Sequence, residues 1–260
     1  MVSSRKIVWI SDLHVTTSGM IGQVPCAARL AQAVEQINRW HDDADCCIAT
    51  GDLVDTGALE EYELLAGIVE NLSVPFLPMI GNHDNRANLL AAFPPPGEAM
   101  LGYYQYRHDL GDVTLLCLDT HLPGDDAGAL DAARLDWLAG ELARTAERRV
   151  LVFMHHPPGP LGLGLFDDIP LRDHEPLIAL LAGAPQVAHL FFGHVHRPVS
   201  GSIGGIPFTA LRSTAHQALP PHRLHDWVDF VAPDERPQYG VILNMRDRLI
   251  VQALDLEEPA

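Results

Sequence analysis

Basic residues are scarce in this chain. Seventeen lysines and arginines stand against 34 aspartates and glutamates, a formal net charge of −17. A surface of that sign repels phosphate backbones and anionic lipid, so no nucleic-acid partner and no membrane partner are expected. A phosphate substrate stays open, because a bound cation reverses the field locally. Cysteine is scarce too: Cys26, Cys46, Cys47 and Cys117 form no C-x-x-C pair. That excludes a disulfide framework and points to small buried hydrophobes in a reducing compartment. No apolar run approaches the ~18 residues that span a bilayer. Residues 1–6 lead straight into a strand-like run, without the apolar core and cleavage signature of a signal peptide. A cytoplasmic protein is expected. Internal repeats and low-complexity tails are also absent.

What the chain has is apolar content, 47% of 260 residues, enough for one large domain over residues 1–260. Residues 6–10, 45–50, 75–80, 149–154 and 187–192 read as buried strands. Residues 103–106 and 113–118 read as paired strands around the turn Leu110-Gly111-Asp112. Helical patterns fall at 26–40, 58–71, 86–93, 130–146 and 174–183, the third stopped by Pro94-Pro95-Pro96. Strands over 199–203, 206–213, 239–245 and 248–254 make the last third β-rich. Alternating strands and helices followed by a strand-rich part predict an α/β fold with two sheets face to face and helices outside.

Five of the apolar runs end in polar, ligand-type residues. They deliver Asp12 and His14, then Asp52, then Asn82, His83 and Asp84, then His155, then His194 and His196. Each has an ordinary structural explanation alone: a loop cap, a Gly-Asp turn, a packed histidine. All five explanations would have to hold together. Sites in open α/β sheets collect at the carboxyl ends of strands, where distant positions meet. Imidazole with carboxylate suits Zn, Fe, Mn or Co rather than a soft thiolate metal. About seven such groups exceed one tetrahedral zinc. Two metals sharing a bridging carboxylate would use them all, and such pairs clamp both oxygens of a displacement at phosphorus.

The series Asp12-x-His14, Gly51-Asp52, Gly81-Asn82-His83-Asp84, His155 and Gly193-His194-x-His196 resembles the calcineurin-like metallophosphoesterase superfamily. Met154-His155-His156-Pro157-Pro158, with Ser213-Thr214-Ala215-His216-Gln217, is similar to its class III cyclic nucleotide phosphodiesterase and bacterial glycerophosphodiesterase group. The resemblance implies a four-layer αββα sandwich of two mostly mixed sheets. It implies two divalent or trivalent transition metal ions per subunit (Fe, Mn, Zn or Co). Asp12, His14, Asp52 and His196 would hold one, and Asp52, Asn82, His155 and His194 the other. His83 would contact the phosphate beside Asn82 and protonate the leaving oxygen, with Asp84 orienting it from behind. The choice of His155 over His156 rests on the family pattern. A water or hydroxide between the metals would attack phosphorus in line, without a covalent enzyme intermediate.

The implied activity is hydrolysis of small phosphodiesters, cyclic nucleotides or glycerophosphodiesters, with promiscuity toward aryl phosphodiesters. A phosphomonoesterase or a nuclease is the enzymatic rival, the acidic surface arguing against the nuclease. A non-catalytic scaffold would have lost ligands or His83, and every position is filled. His216 is expected to reach the substrate, and Arg86 to serve the start of a helix or a salt bridge. Residues 216–237, with His222, His225, Trp227 and Phe230, read as a cap or an oligomerisation insertion, so a homodimer or larger assembly is expected. His121 and His174 read as structural.

Overall fold

Each short apolar run becomes a strand, and alternation along it decides which core each residue enters. The computed structural model describes residues 4–224, 226–227 and 235–257. The chain runs β1 (Arg5–Ile10), α1 (Cys26–Trp40), β2 (Cys46–Ala49), α2 (Leu59–Val69), β3 (Phe76–Pro78), α3 (Arg86–Ala92), β4 (Glu98–Ala99), β5 (Tyr106–Leu110), β6 (Val113–Cys117), α4 (Ala132–Arg144), β7 (Arg149–Phe153), α5 (Glu175–Ala182), β8 (Val187–Phe192), β9 (Val199–Ile203), β10 (Ile206–Ala210), β11 (Gln238–Asn244) and β12 (Leu249–Asp255). Short 3-10 turns lie at Gly164–Asp168 and Pro221–Arg223.

The strands form two mixed sheets. One has five strands in the order β12-β11-β1-β2-β3, the other seven in the order β4-β5-β6-β7-β8-β10-β9. β1, β2 and β3 run parallel, as do β6, β7, β8 and β10. Successive strand residues face opposite ways, and the cores follow that parity. Leu115, Cys117, Leu151, Phe153 and Phe191 join a core with Ile7 and Trp9 of the first sheet. Their neighbours Leu116, Val150, Val152, Leu190 and Phe192 join a second core with Leu138 and Leu142 of α4 and Leu177 and Leu181 of α5. Trp9 meets Phe191 edge to face at 5.1 Å, and Phe191 stacks on Phe153 at 4.8 Å. Each such pair contributes about 0.5–1.5 kcal/mol beyond its buried area, so the rings tie the two sheets together just below the strand ends.

Two expectations shift. Residues 103–105 stay outside β5, because the Tyr104 N–H donates to the Asp119 carboxylate at 2.8 Å instead of to a neighbouring strand. The β-rich last third also divides. β9 and β10 extend the second sheet, whereas β11 pairs antiparallel with β1, Val241 opposite Val8. β1 therefore lies at the centre of its sheet, and its carboxyl end is held on both sides. His225 and residues 228–234 of the expected insertion lie outside the described residues. Among the described residues no helix is long and apolar enough to cross a membrane.

Candidate metal centre

The carboxyl ends of β1, β2, β3, β7 and β8 meet, and the backbone there is bent to aim side chains inward. Asp12, His14, Asp52, His194 and His196 all have φ between 44° and 70°. That left-handed region costs a non-glycine residue about 1–3 kcal/mol and persists only where neighbours enforce it. They do: Asp12 N–H donates to Gly51 O (3.1 Å), His14 N–H to Asp52 O (2.9 Å) and His194 N–H to Asp12 Oδ1 (2.8 Å). Glycine is required where the loops cross. A Cβ on Gly81 would collide with the backbone and carboxylate of Asp52, and one on Gly193 with Ser11 Oγ.

Four imidazoles are fixed in one tautomer. The Nδ1–H of His14 donates to Asp55 Oδ1 (3.2 Å), of His83 to the Asp55 carbonyl (2.7 Å), of His155 to the Thr50 carbonyl (2.8 Å) and of His196 to the His216 carbonyl (2.7 Å). Each of these oxygens accepts, so Nδ1 carries a proton and Nε2 is the nitrogen left for a ligand. Those Nε2 atoms gather around Asp52. Its Oδ2 lies 3.3 Å from His155 Nε2 and 3.6 Å from His14 Nε2. His14 Nε2 is 3.2 Å from His196 Nε2, which is 3.7 Å from Asp12 Oδ1. On the other side Asn82 Oδ1 is 2.9 Å from both His155 Nε2 and His194 Nδ1, which are 3.3 Å apart.

Two nests result, Asp12 with His14, Asp52 and His196, and Asp52 with Asn82, His155 and His194. Where both facing atoms are acceptors, as at His14 Nε2 and His196 Nε2, they repel unless a cation lies between them. Ligands on ~2.1 Å bonds at 90–110° stand roughly 3.0–3.4 Å apart, within the 2.9–3.7 Å range of the facing atoms here. Asp12 Oδ2 is buried without a hydrogen-bond partner among the described residues, a further acceptor in want of a cation. The residues thus fit a dinuclear centre. The first nest has its ligand atoms all within 4.8 Å of one another.

The electrostatics follow from burial and from Asp52. Burial alone would raise the Asp52 carboxyl, but His155, His83 and His14 hold it well below the carboxylate range. Burial would lower His155, and Asp52 overrides it to about 9. His196 is pulled down to about 4 and His14 and His194 well down, all by burial first. His83 is raised, because Asp52 and the Asp55 carbonyl outweigh its burial.

Around this centre lies a cavity of about 280 Å³ whose lining includes His14, Asp52, Asn82, His83 and His216. His216 packs its ring 4.5 Å from His196 and 4.8 Å from His14. One expectation is corrected. Asp84 does not stand behind His83: its carboxylate, buried, accepts from the N–H groups of Gly81 (2.8 Å), Leu53 (3.2 Å) and Val54 (3.4 Å) and from Tyr62 OH (2.9 Å). The residue on His83 is Asp55, through its carbonyl, with its carboxylate 3.8 Å away. Asp55 also holds His14 and went unnoticed in the sequence; its signal is the spacing Gly51-Asp52-Leu53-Val54-Asp55. His156 packs against the rings of His155 (5.0 Å) and His194 (4.8 Å), but both its nitrogens are paired, with Thr120 Oγ1 (2.7 Å) and the Asp126 carbonyl (3.1 Å). Arg86 grips buried Asp119 at 2.6 and 2.9 Å.

Comparison with known proteins agrees with this geometry. A probable cyclic nucleotide phosphodiesterase of Rhodopseudomonas palustris is 35% identical over 257 residues, covering 95% of this chain and 90% of that protein. A glycerophosphodiester phosphodiesterase of Enterobacter lignolyticus is 30% identical over 237 residues, covering 89% and 82%. A 3',5'-cyclic adenosine monophosphate phosphodiesterase of Escherichia coli is 31% identical over 235 residues, covering 89% and 83%. Among solved structures, a dimetal phosphatase from Danio rerio superposes with a TM-score of 0.76 over 98% of this chain and 97% of that one, at 17% identity, a likeness of fold. The model of the calcineurin-like phosphoesterase family matches residues 5–198, and the chain belongs to that family.

Proposed function

We propose that the protein is a dinuclear metal-dependent phosphodiesterase acting on small diesters, cyclic nucleotides or glycerophosphodiesters. The observation that carries this reading is the convergence of Nε2 of His14, His155 and His196, Nδ1 of His194, Asn82 Oδ1 and the Asp12 carboxylate on Asp52. Asp12, His14, Asp52 and His196 would hold one ion, and Asp52, Asn82, His155 and His194 the other, with Fe, Mn, Zn or Co suiting such donors. Bound there, two cations supply Lewis acidity at the phosphoryl oxygens and a water ionised near neutral pH.

The chain's own residues do the rest. His83 has Nδ1 on the Asp55 carbonyl, which leaves Nε2 for a substrate oxygen. Its raised pKa favours the protonated ring, which suits a donor of the proton the leaving alkoxide needs. Asn82 and His216 flank the phosphate. No lysine or arginine lines the cavity among the described residues, while Asp55 and Asp126 do. A diester brings one negative charge, but a monoester dianion or a polynucleotide brings more, so the lining supports the small diester. Residues 1–260 form one domain in this reading, and 216–237 cap the site or join subunits, the second role making a homo-oligomer. The buried, unpaired thiols support a cytoplasmic setting.

The test is a paired assay of bis(p-nitrophenyl) phosphate and p-nitrophenyl phosphate on metal-stripped protein, before and after adding Mn or Co. The proposal expects metal-dependent turnover that favours the diester. Preference for the monoester would replace it with a phosphatase.

A further inference from the structure

The cavity has a second face that phosphoryl transfer does not use. Phe166, Ile169, Trp227 and Ile21 line it with apolar surface beside the polar centre. Phe166 comes from the 3-10 turn at Gly164–Asp168, is 5% exposed and belongs to the second core. Trp227 comes from the region expected to cap the site and is 41% exposed. The two rings meet edge to face, centroids 5.1 Å apart and planes at 89°. Phe166 also meets His194 edge to face, at 5.9 Å. The ring system therefore runs from the centre itself outward to an exposed indole.

Trp227, braced by Phe166, gives the cavity an aromatic wall beside the polar centre. Glycerol has no flat apolar face. A heteroaromatic or aryl group does, and stacking on an aromatic side chain tolerates any flat ring. The carboxylates of Asp55 and Asp126 on the same cavity accept hydrogen bonds from hydroxyl or amino groups of such a substituent and repel a second phosphate. We infer that Trp227, braced by Phe166, is a specificity-determining residue that binds the organic group of the diester and selects flat heteroaromatic diesters over glycerol diesters. This inference rests on the proposed phosphodiesterase function.

Phe166 is part of a core, so truncating it risks unfolding, whereas Trp227 can be shortened from the open side. The experiment compares wild type, Trp227→Ala and Trp227→Phe after metal loading. It reads the ratio of kcat/KM for 3',5'-cyclic AMP to that for glycerophosphoethanolamine. The ratio is expected to fall about tenfold in Trp227→Ala, chiefly through KM for the cyclic nucleotide, and to be largely retained in Trp227→Phe. A ratio constant across all three proteins overturns the inference. In parallel, a slowly hydrolysed phosphorothioate of cyclic AMP is titrated against tryptophan emission. Quenching in wild type that vanishes in Trp227→Phe is expected, and no quenching in wild type overturns the inference. If wild type hydrolyses neither diester, the proposed function fails while the quenching still decides whether Trp227 binds the ring.

Discussion

The Nε2 atoms of His14 and His196, 182 residues apart in sequence, face each other at 3.2 Å. The Nδ1 of each is committed to an oxygen acceptor, so two lone pairs meet. A proton does not fill the gap near neutral pH, because burial holds the His196 imidazole down to about 4 and His14 well below its ordinary value. A cation would, and the consequences can be measured.

Metal binding will release a proton. Asp52 holds His155 up to about 9 against the effect of burial, so at pH 7.5 the metal-free imidazole is protonated and must lose that proton to become a ligand. The sign is definite: affinity falls as pH falls below about 9, by roughly tenfold per unit while one proton is displaced. Calorimetric titration of Mn in buffers of different ionisation enthalpy should give about one proton released per chain at pH 7.5. Zero release would contradict the assigned role of His155.

Asn82 and His83 are neighbours with different work. Asn82→Ala removes the oxygen shared at 2.9 Å by His155 and His194, and should lower metal content and activity together. His83→Ala should keep both metals and lose roughly 10²–10⁴-fold in kcat, the usual worth of a positioned acid. Metal analysis beside kinetics separates them, and a metal lost with His83 would sink its assignment.

Asp55 should matter although it is only partly buried. It orients His14 through its carboxylate and His83 through its carbonyl. Asp55→Asn keeps the carbonyl and weakens the hold on His14. A loss of roughly 10–100-fold in metal affinity or activity is expected, as for outer contacts that orient a ligand imidazole. Unaltered affinity and rate would make Asp55 a bystander.

Tyr62→Phe tests the scaffold beneath the site. Its hydroxyl donates to buried Asp84 and accepts from the Asn85 N–H, both at 2.9 Å. Losing it leaves both groups short of a partner and should cost about 1–3 kcal/mol. The melting temperature should fall by about 2–4 °C per kcal/mol in a chain of this size.

The residues that meet at the site were legible because each sits in a short local motif at a strand end, and parity along a strand tells which neighbours share a face. The same logic leaves His155 and His156 undecided until Thr120 and Asp126 are seen to occupy His156. Asp84 was misread for the opposite reason: proximity in sequence to His83 says nothing of the turn that sends its carboxylate back to Gly81, Leu53 and Val54. Backbone carbonyls of Thr50, Asp55 and His216, which fix three imidazoles, carry no sequence signal at all. The pairing of β11 with β1 was hidden likewise, since two antiparallel strands separated by most of the chain share no local pattern.

Two ions sharing Asp52 can be tested directly. Metal-stripped protein titrated with Mn should bind two equivalents per chain and give the spectrum of an exchange-coupled pair by electron paramagnetic resonance. Asp52→Asn should abolish that coupling. A single equivalent, or two uncoupled ions unaffected by Asp52→Asn, would show that Asp52 does not bridge two ions.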